Sequence, residues 1–270
     1  MAPPEDAAED VTRSPFVRVL ARVGFVANGF VHGLTGVIAL VVAFGGSASS
    51  DQSGALKVIV SAPLGFIALW VIAIALWGLA VWYAFDGILK YGGGDAVSAA
   101  KKWGRRFGSW IRSIVYASLG VLAASVAIGS RSDGETTAES ASRGVLVLPG
   151  GPLMLGAVGL AIVGIGIGFG VIGVRRGFRK QMNLPHGAVG RTVATLGLVG
   201  YLAKGIALLD VGVLLVVAAV KVDPDAAGGL DGALQALREA KLGPLAVAVI
   251  GVGLVAYGVF LALRGKYQRL

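Results

Sequence analysis

A helix that crosses a bilayer takes about 20 residues. This chain has six apolar blocks of that length or more, at 17–44, 62–90, 107–129, 152–176, 192–220 and 243–265. Nothing else in the sequence constrains the fold as strongly. The blocks run continuously apolar, whereas a membrane β-strand is about ten residues of strict alternation. Residues of the AVILMFWYC set make up 56% of the chain and charged residues only 14%, against roughly 25% charged in a soluble domain. A soluble globular domain is therefore excluded. So is a disordered chain, which needs high charge and little apolar surface. The pattern predicts an all-α integral membrane protein of six transmembrane helices. The 43 glycines fit that reading, because small residues let helix backbones approach closely in lipid.

The connections alternate in charge. Lys90 to Arg106 and Arg175 to Arg191 are basic, and Arg13, Arg18 and Arg22 at the start and Arg264, Lys266 and Arg269 at the end join them on the same side. Sixteen Lys and Arg fall on this side and six on the other; the remaining two, Arg112 and Lys204, lie inside spans. The positive-inside rule then places both termini and both basic linkers in the cytoplasm. In a membrane protein this asymmetry also explains the net charge of +9 without nucleic acid. Residues 1–16 are acidic and Pro/Ala-rich, unlike a signal peptide, and read as a disordered tail. On the opposite side, 228–242 has Leu230, Leu234 and Leu237 at helical spacing. It predicts a short amphipathic helix on the membrane surface, with 54–61 as its counterpart.

The openings of the odd-numbered spans repeat. Gly24-Phe25-Val26-Ala27-Asn28-Gly29 recurs 176 residues later as Gly200-Tyr201-Leu202-Ala203-Lys204-Gly205, and Gly36 falls on Gly212. At an offset of 84, Gly24 meets Gly108, Asn28 meets Arg112, Gly36 meets Gly120 and Ala39 meets Ala123. Among the even spans, Gly78-Leu79-Ala80-Val81-Trp82 resembles Gly253-Leu254-Val255-Ala256-Tyr257. These matches divide the chain into three helical hairpins, 17–98, 99–183 and 184–270. Each has two spans, so all three are parallel, unlike the inverted repeats of many secondary transporters. The recurring small-x-Gly-aromatic-x-Ala-basic-Gly element resembles the domain-of-unknown-function 1206 family, bacterial six-helix membrane proteins built of three copies. The resemblance runs from about Leu20 to Gly265. Lys204-Gly205 fits the basic-Gly element; Arg112 is followed by Ser113; Asn28 and His32 depart from it in the first copy. It implies a bacterial plasma-membrane location and the six-helix fold, and no activity.

Chemistry-bearing motifs are few. There is no cysteine and only two histidines, His32 and His186, so thiolate metal sites, disulfides and a Cys nucleophile are excluded. Gly168-Phe169-Gly170-Val171-Ile172-Gly173 spells GxGxxG inside an apolar block. It lacks the strand–turn–helix context of a dinucleotide site, and helix packing is its reading, as for Gly29-x-x-x-Gly33 and Gly166-x-x-x-Gly170. No cofactor, no metal and no enzyme activity are expected.

The informative residues are polar ones at membrane depth. Asn28, Arg112 and Lys204 share one repeat position; His32 and Tyr116 lie one turn further on. If three repeats close around an axis, these five form one polar layer. Asp210 lies deeper, too short to reach either surface, and must pair, stay protonated or face water. A partner from another repeat is expected, Arg112 first. Two readings stand. In one, Arg112 and Lys204 snorkel to headgroups while Asn28 and His32 tie helices together. In the other, Asn28, His32, Arg112, Tyr116, Lys204 and Asp210 form a binding site or ion pathway. The Lys101, Lys102, Arg105 and Arg106 cluster reads as topology determinant or anionic-lipid contact. Expected partners are membrane lipids, anionic ones included, and a membrane-protein partner or second copy. The function read from these features is a non-enzymatic structural or accessory module; the alternative is a small transporter or channel using the polar layer.

Overall fold

The computed structural model describes residues 15–46, 49–89, 99–130 and 134–268. Most of the acidic tail expected at 1–16 falls outside them. Six long helices carry the apolar blocks: α1 (Pro15–Ala43), α3 (Gly65–Leu89), α4 (Ala99–Ala127), α6 (Gly151–Val174), α7 (Ala188–Lys221) and α9 (Gly243–Tyr267). All six are long and apolar enough to cross a membrane, and the chain is a multi-pass membrane protein. Three short helices join them at the end away from the basic linkers: α2 (Gln52–Ser61), α5 (Gly134–Leu146) and α8 (Gly229–Arg238). Each hairpin is thus long helix, short helix, long helix.

The second helix of each hairpin packs along the first helix of the next: α3 on α4, α6 on α7, and α9 back on α1. These pairings explain the glycine pattern. A Cβ added at Gly29 would lie 2.5 Å from the Gly258 carbonyl oxygen, and one at Gly36 would lie 2.6 Å from that of Gly251. The same two contacts recur between α6 and α7. A Cβ at Gly205 would sit 2.8 Å from Gly166 O, and one at Gly212 would sit 2.9 Å from Gly159 O. Only glycine permits this approach of backbones, and dispersion contact is what drives helix association in lipid. The α3–α4 pair solves the same problem differently. Ser113 stands where the other copies have Gly29 and Gly205, and its Oγ donates to Ala80 O at 2.8 Å. Trp77 fills the space over Gly120 and its Nε1 donates to Ala117 O at 3.3 Å. The departure of the middle copy from glycine is therefore a hydrogen bond in place of a bare contact.

These contacts support the offsets of 84 and 176 for the first helices. For the second helices they move the correspondence by three residues. Gly65, Gly151 and Gly243 each begin the helix tucked under the end of the short helix before it, so Gly78 matches Ala256 and not Gly253. Packing against Gly24 and Gly200 agrees, with Leu79 in the place of Tyr257.

The ring is not closed. Within hairpins α1 packs on α3 and α7 on α9, but α4 and α6 do not pack along each other. The long helices form an arc, α4–α3–α1–α9–α7–α6. The end helices α4 and α6 are the least covered of the six, with 22% and 17% of their apolar windows buried.

The short helices cap the arc. Asp51 caps α2 by accepting from Gly54 N at 2.7 Å. In α8, Asp231 is buried and accepts from Ser50 N at 2.7 Å and Gln235 Nε2 at 3.1 Å. The amphipathic helix expected on the membrane surface thus lays its buried face on α7 and α9, not on lipid. Its counterpart starts at Gln52, two residues before the expected position. The polar helix α5 was not anticipated; it packs on α6, α8 and the 3₁₀ turn Pro224–Ala226.

Candidate intramembrane polar site

Three first helices bring polar side chains to one place. On α1, His32 Nδ1 lies 2.9 Å from the Asn28 carbonyl oxygen, one turn back. A carbonyl only accepts, so Nδ1 carries the proton and Nε2 is left as an acceptor. Lys204 of α7 fills that role, its Nζ donating to His32 Nε2 at 3.0 Å. On the other side, Asn28 Nδ2 donates to Tyr116 Oη of α4 at 3.4 Å. Asn28 and His32 are 2% and 4% exposed. The layer therefore runs Tyr116–Asn28–His32–Lys204 across α4, α1 and α7.

Aromatic rings surround it. The Lys204 ammonium lies 4.8 Å from the Tyr257 ring centroid and 5.3 Å from that of Phe169. His32 meets Tyr257 edge-on, and Tyr116 stacks on Tyr83. Among the described residues no carboxylate pairs with Lys204. A lysine at membrane depth costs about 2.5–3.5 kcal/mol on insertion scales. One hydrogen bond and two cation–π contacts, the latter about 0.5–2 kcal/mol each, offset much of that. Lys204 thus lies inside the bundle and does not snorkel.

A family model described as Domain of Unknown Function (DUF1206) matches the chain three times, at residues 23–90, 107–176 and 199–268. The chain belongs to this DUF1206 family. It is also similar to "Uncharacterized protein YxxB" of Bacillus subtilis (strain 168), at 30% identity over 258 residues that cover 95% of this chain and 93% of that protein. No solved structure matches it.

The DUF1206 repeats place the remaining predicted residues less symmetrically. Arg112 sits one residue before Ser113, as Asn28 and Lys204 sit before Gly29 and Gly205. Its guanidinium lies 5.7 Å from the Tyr83 ring centroid, on an exposed stretch of α4. This mirrors Lys204 over Phe169: in both, a cation meets an aromatic ring of the preceding hairpin's second helix. In the first copy the equivalent pair is Asn28 and Leu261, so cation and ring are lost together.

Asp210 is not part of the layer, and the expected pairing with Arg112 is not made. Six residues separate it from Lys204, about 240° around the helix. It is half-buried, flanked four before and three after by Ile206 and Val213, which are 47% and 50% exposed. Its Oδ2 is buried without a hydrogen-bond partner among the described residues. The carboxyl thus sits half-covered beside the exposed Ile206 and Val213, and among the described residues it makes no ion pair or hydrogen bond with Arg112, Lys204 or His32.

Of the basic cluster, Arg106 lies 5.8 Å from the Trp103 ring centroid and its Nη2 reaches Ile88 O at 3.5 Å. Lys101, Lys102 and Arg105 have side chains outside the described residues.

One functional-looking residue escaped the sequence reading. Arg264, counted there among the basic-side cations, is 8% exposed. It donates to Tyr201 Oη at 3.0 Å, Gln181 Oε1 at 2.7 Å and Gln268 Oε1 at 2.8 Å, and lies over Phe25. The signal available was register: Arg264 occupies the place of Asp86 in α3, and Asp86 also serves a helix contact, accepting from Ser109 Oγ at 2.9 Å.

Proposed function

We propose that this DUF1206 chain is a non-enzymatic membrane module that holds a lipid or similar amphiphile at the polar layer. The observation that carries the reading is the convergence of three repeats on one intramembrane cation that has no counter-ion among the described residues. Packing alone does not call for such a group; a Leu at position 204 would cost nothing to insert. The chemistry of the layer favours binding over catalysis. Both nitrogens of His32 are engaged, one by a backbone carbonyl and one by Lys204, so the imidazole is not poised as a base beside a nucleophile. This reading places the chain in a plasma membrane, where the Lys and Arg asymmetry supports an orientation with both termini in the cytoplasm.

The test is native mass spectrometry of protein extracted from bacterial membranes in mild detergent. Wild type is expected to carry a lipid adduct that Lys204→Met and Asn28→Leu lose, while a Lys101→Gln, Lys102→Gln, Arg105→Gln variant keeps it. Equal retention by all variants would contradict the reading. Solute uptake into proteoliposomes that depends on Lys204 would replace it with the transporter alternative.

A further inference from the structure

We infer that the opening between α4 and α6 is a lateral doorway through which the anionic headgroup of a membrane lipid reaches Lys204 and Arg112. The inference rests on the lipid-binding reading above and names the ligand's charge and its route.

Four observations meet here. The first is the incomplete ring. Repeat symmetry provides a contact of α4 with α6 equivalent to those of α1 with α3 and α7 with α9, and it is not made. The second is what lies at the two edges. Arg112 and Tyr116 belong to α4; Phe169 belongs to α6, beside Lys204 of α7. The third is charge. Neither Arg112 nor Lys204 has an ion-pair partner among the described residues, so this wall of the arc carries two positive charges and a belt of rings. Cations at the edge of a lipid-exposed opening attract the negative component of the bilayer. The fourth is an unfilled hydrogen-bonding position. Asn28 is almost wholly buried and its Oδ1 has no partner, which costs about 1–3 kcal/mol for such a group. A headgroup hydroxyl donated to Asn28 Oδ1, with an anionic oxygen on Lys204, satisfies both groups at once. That is the chemistry of a phosphodiester carrying a free hydroxyl, as in phosphatidylglycerol.

The glycines of α6 agree with the route. Cβ atoms added at Gly164 or Gly168, one turn apart on α6, would meet nothing within 4 Å. The side of α6 that carries Gly164 and Gly168 is a smooth surface against which an acyl chain can lie, unlike the side of Gly159, Gly166 and Gly170, which faces α7.

The experiment uses the full chain in phosphatidylcholine nanodiscs doped with a phosphatidylglycerol analogue bearing a photoreactive group near the head. Crosslinks are expected in peptides 107–120 of α4 and 162–176 of α6. Unlabelled phosphatidylglycerol should compete, whereas phosphatidylcholine and inorganic phosphate should not. Arg112→Met with Lys204→Met is expected to cut labelling about tenfold, the effect of losing one charge-assisted hydrogen bond or more. Lys204→Arg should retain it. Where the double variant fails to fold, the wild-type competition still decides. Crosslinks spread over α1, α3 and α9, or equal competition by phosphatidylcholine, would overturn the doorway. Lysine-dependent lipid retention in the mass spectrometer alongside that result would leave the module intact and remove only the headgroup charge and route.

Discussion

Gly29 and Gly33 form one GxxxG pair in sequence but occupy unlike surroundings, and this makes a sharp stability prediction. At Gly29 a Cβ would stand 2.5 Å from Gly258 O, 3.0 Å from Ala262 N and 3.2 Å from Leu261 Cβ. A carbon normally stays about 3.3 Å or more from a carbonyl oxygen. The first two neighbours are backbone, so α9 must retreat from α1 along its length. Overpacking of this kind costs about 1–3 kcal/mol. Removing a helical glycine returns up to about 1 kcal/mol. Gly29→Ala is therefore expected to lose about 1–2 kcal/mol. A Cβ at Gly33 meets nothing within 4 Å, so Gly33→Ala should be neutral or gain up to about 1 kcal/mol. Reversible unfolding in mixed micelles, followed by circular dichroism, measures both. Equal effects at the two positions, or a larger loss at Gly33, would refute the α1–α9 contact on which the pairing of first and third repeats depends.

Further outcomes follow from the same contacts. Gly166→Ala should destabilise while Gly164→Ala and Gly170→Ala do not, by the same assay, because only at Gly166 would an added Cβ run into α7, 2.8 Å from Gly205 O. Asp210→Leu should insert and fold as well as wild type or better and keep its lipid adduct, since the carboxyl has no partner to lose; loss of the adduct would return Asp210 to the site. Asp231→Ala should cost about 1–3 kcal/mol by stranding the buried Ser50 N–H, whereas Arg143→Ala should cost under about 1 kcal/mol, because the 2.9 Å Arg143–Asp225 pair is exposed on both sides. Ala138→Cys should react with an impermeant maleimide outside intact cells and Gln268→Cys should not, the reverse result overturning the orientation.

The parts of this structure that were legible in the sequence are those that depend on residue type along one helix. Six spans follow from apolar length, and the 84 and 176 offsets follow from glycines that two of the repeats press against the same carbonyls. The convergence of His32, Tyr116 and Lys204 also followed, since one repeat position on parallel hairpins faces one way. What failed depended on contacts between helices. The open α4–α6 side is a property of three pairings, and no residue of α4 or α6 announces it. Arg264 reads as a basic-side cation because two of its acceptors, the buried Tyr201 and the exposed Gln181, lie on segments far from it in sequence, while only Gln268 is on its own helix end. Asp210 looks like a site residue on depth alone; its angle around α7, away from Lys204, sets it apart. The helix α5 is too polar to stand out, with Ala138 and Val145 half-buried on its inner face, and it owes its place to α6, α8 and the turn before α8.

The central claim is that three repeats build one intramembrane lipid site around Lys204. A density map of the full chain in nanodiscs containing phosphatidylglycerol tests it most directly. The account predicts a lipid between α4 and α6, its headgroup within hydrogen-bonding distance of Lys204 Nζ and its acyl chains along the Gly164–Gly168 side of α6. A map in which α4 and α6 close on each other, with no lipid density beside Lys204, would contradict it.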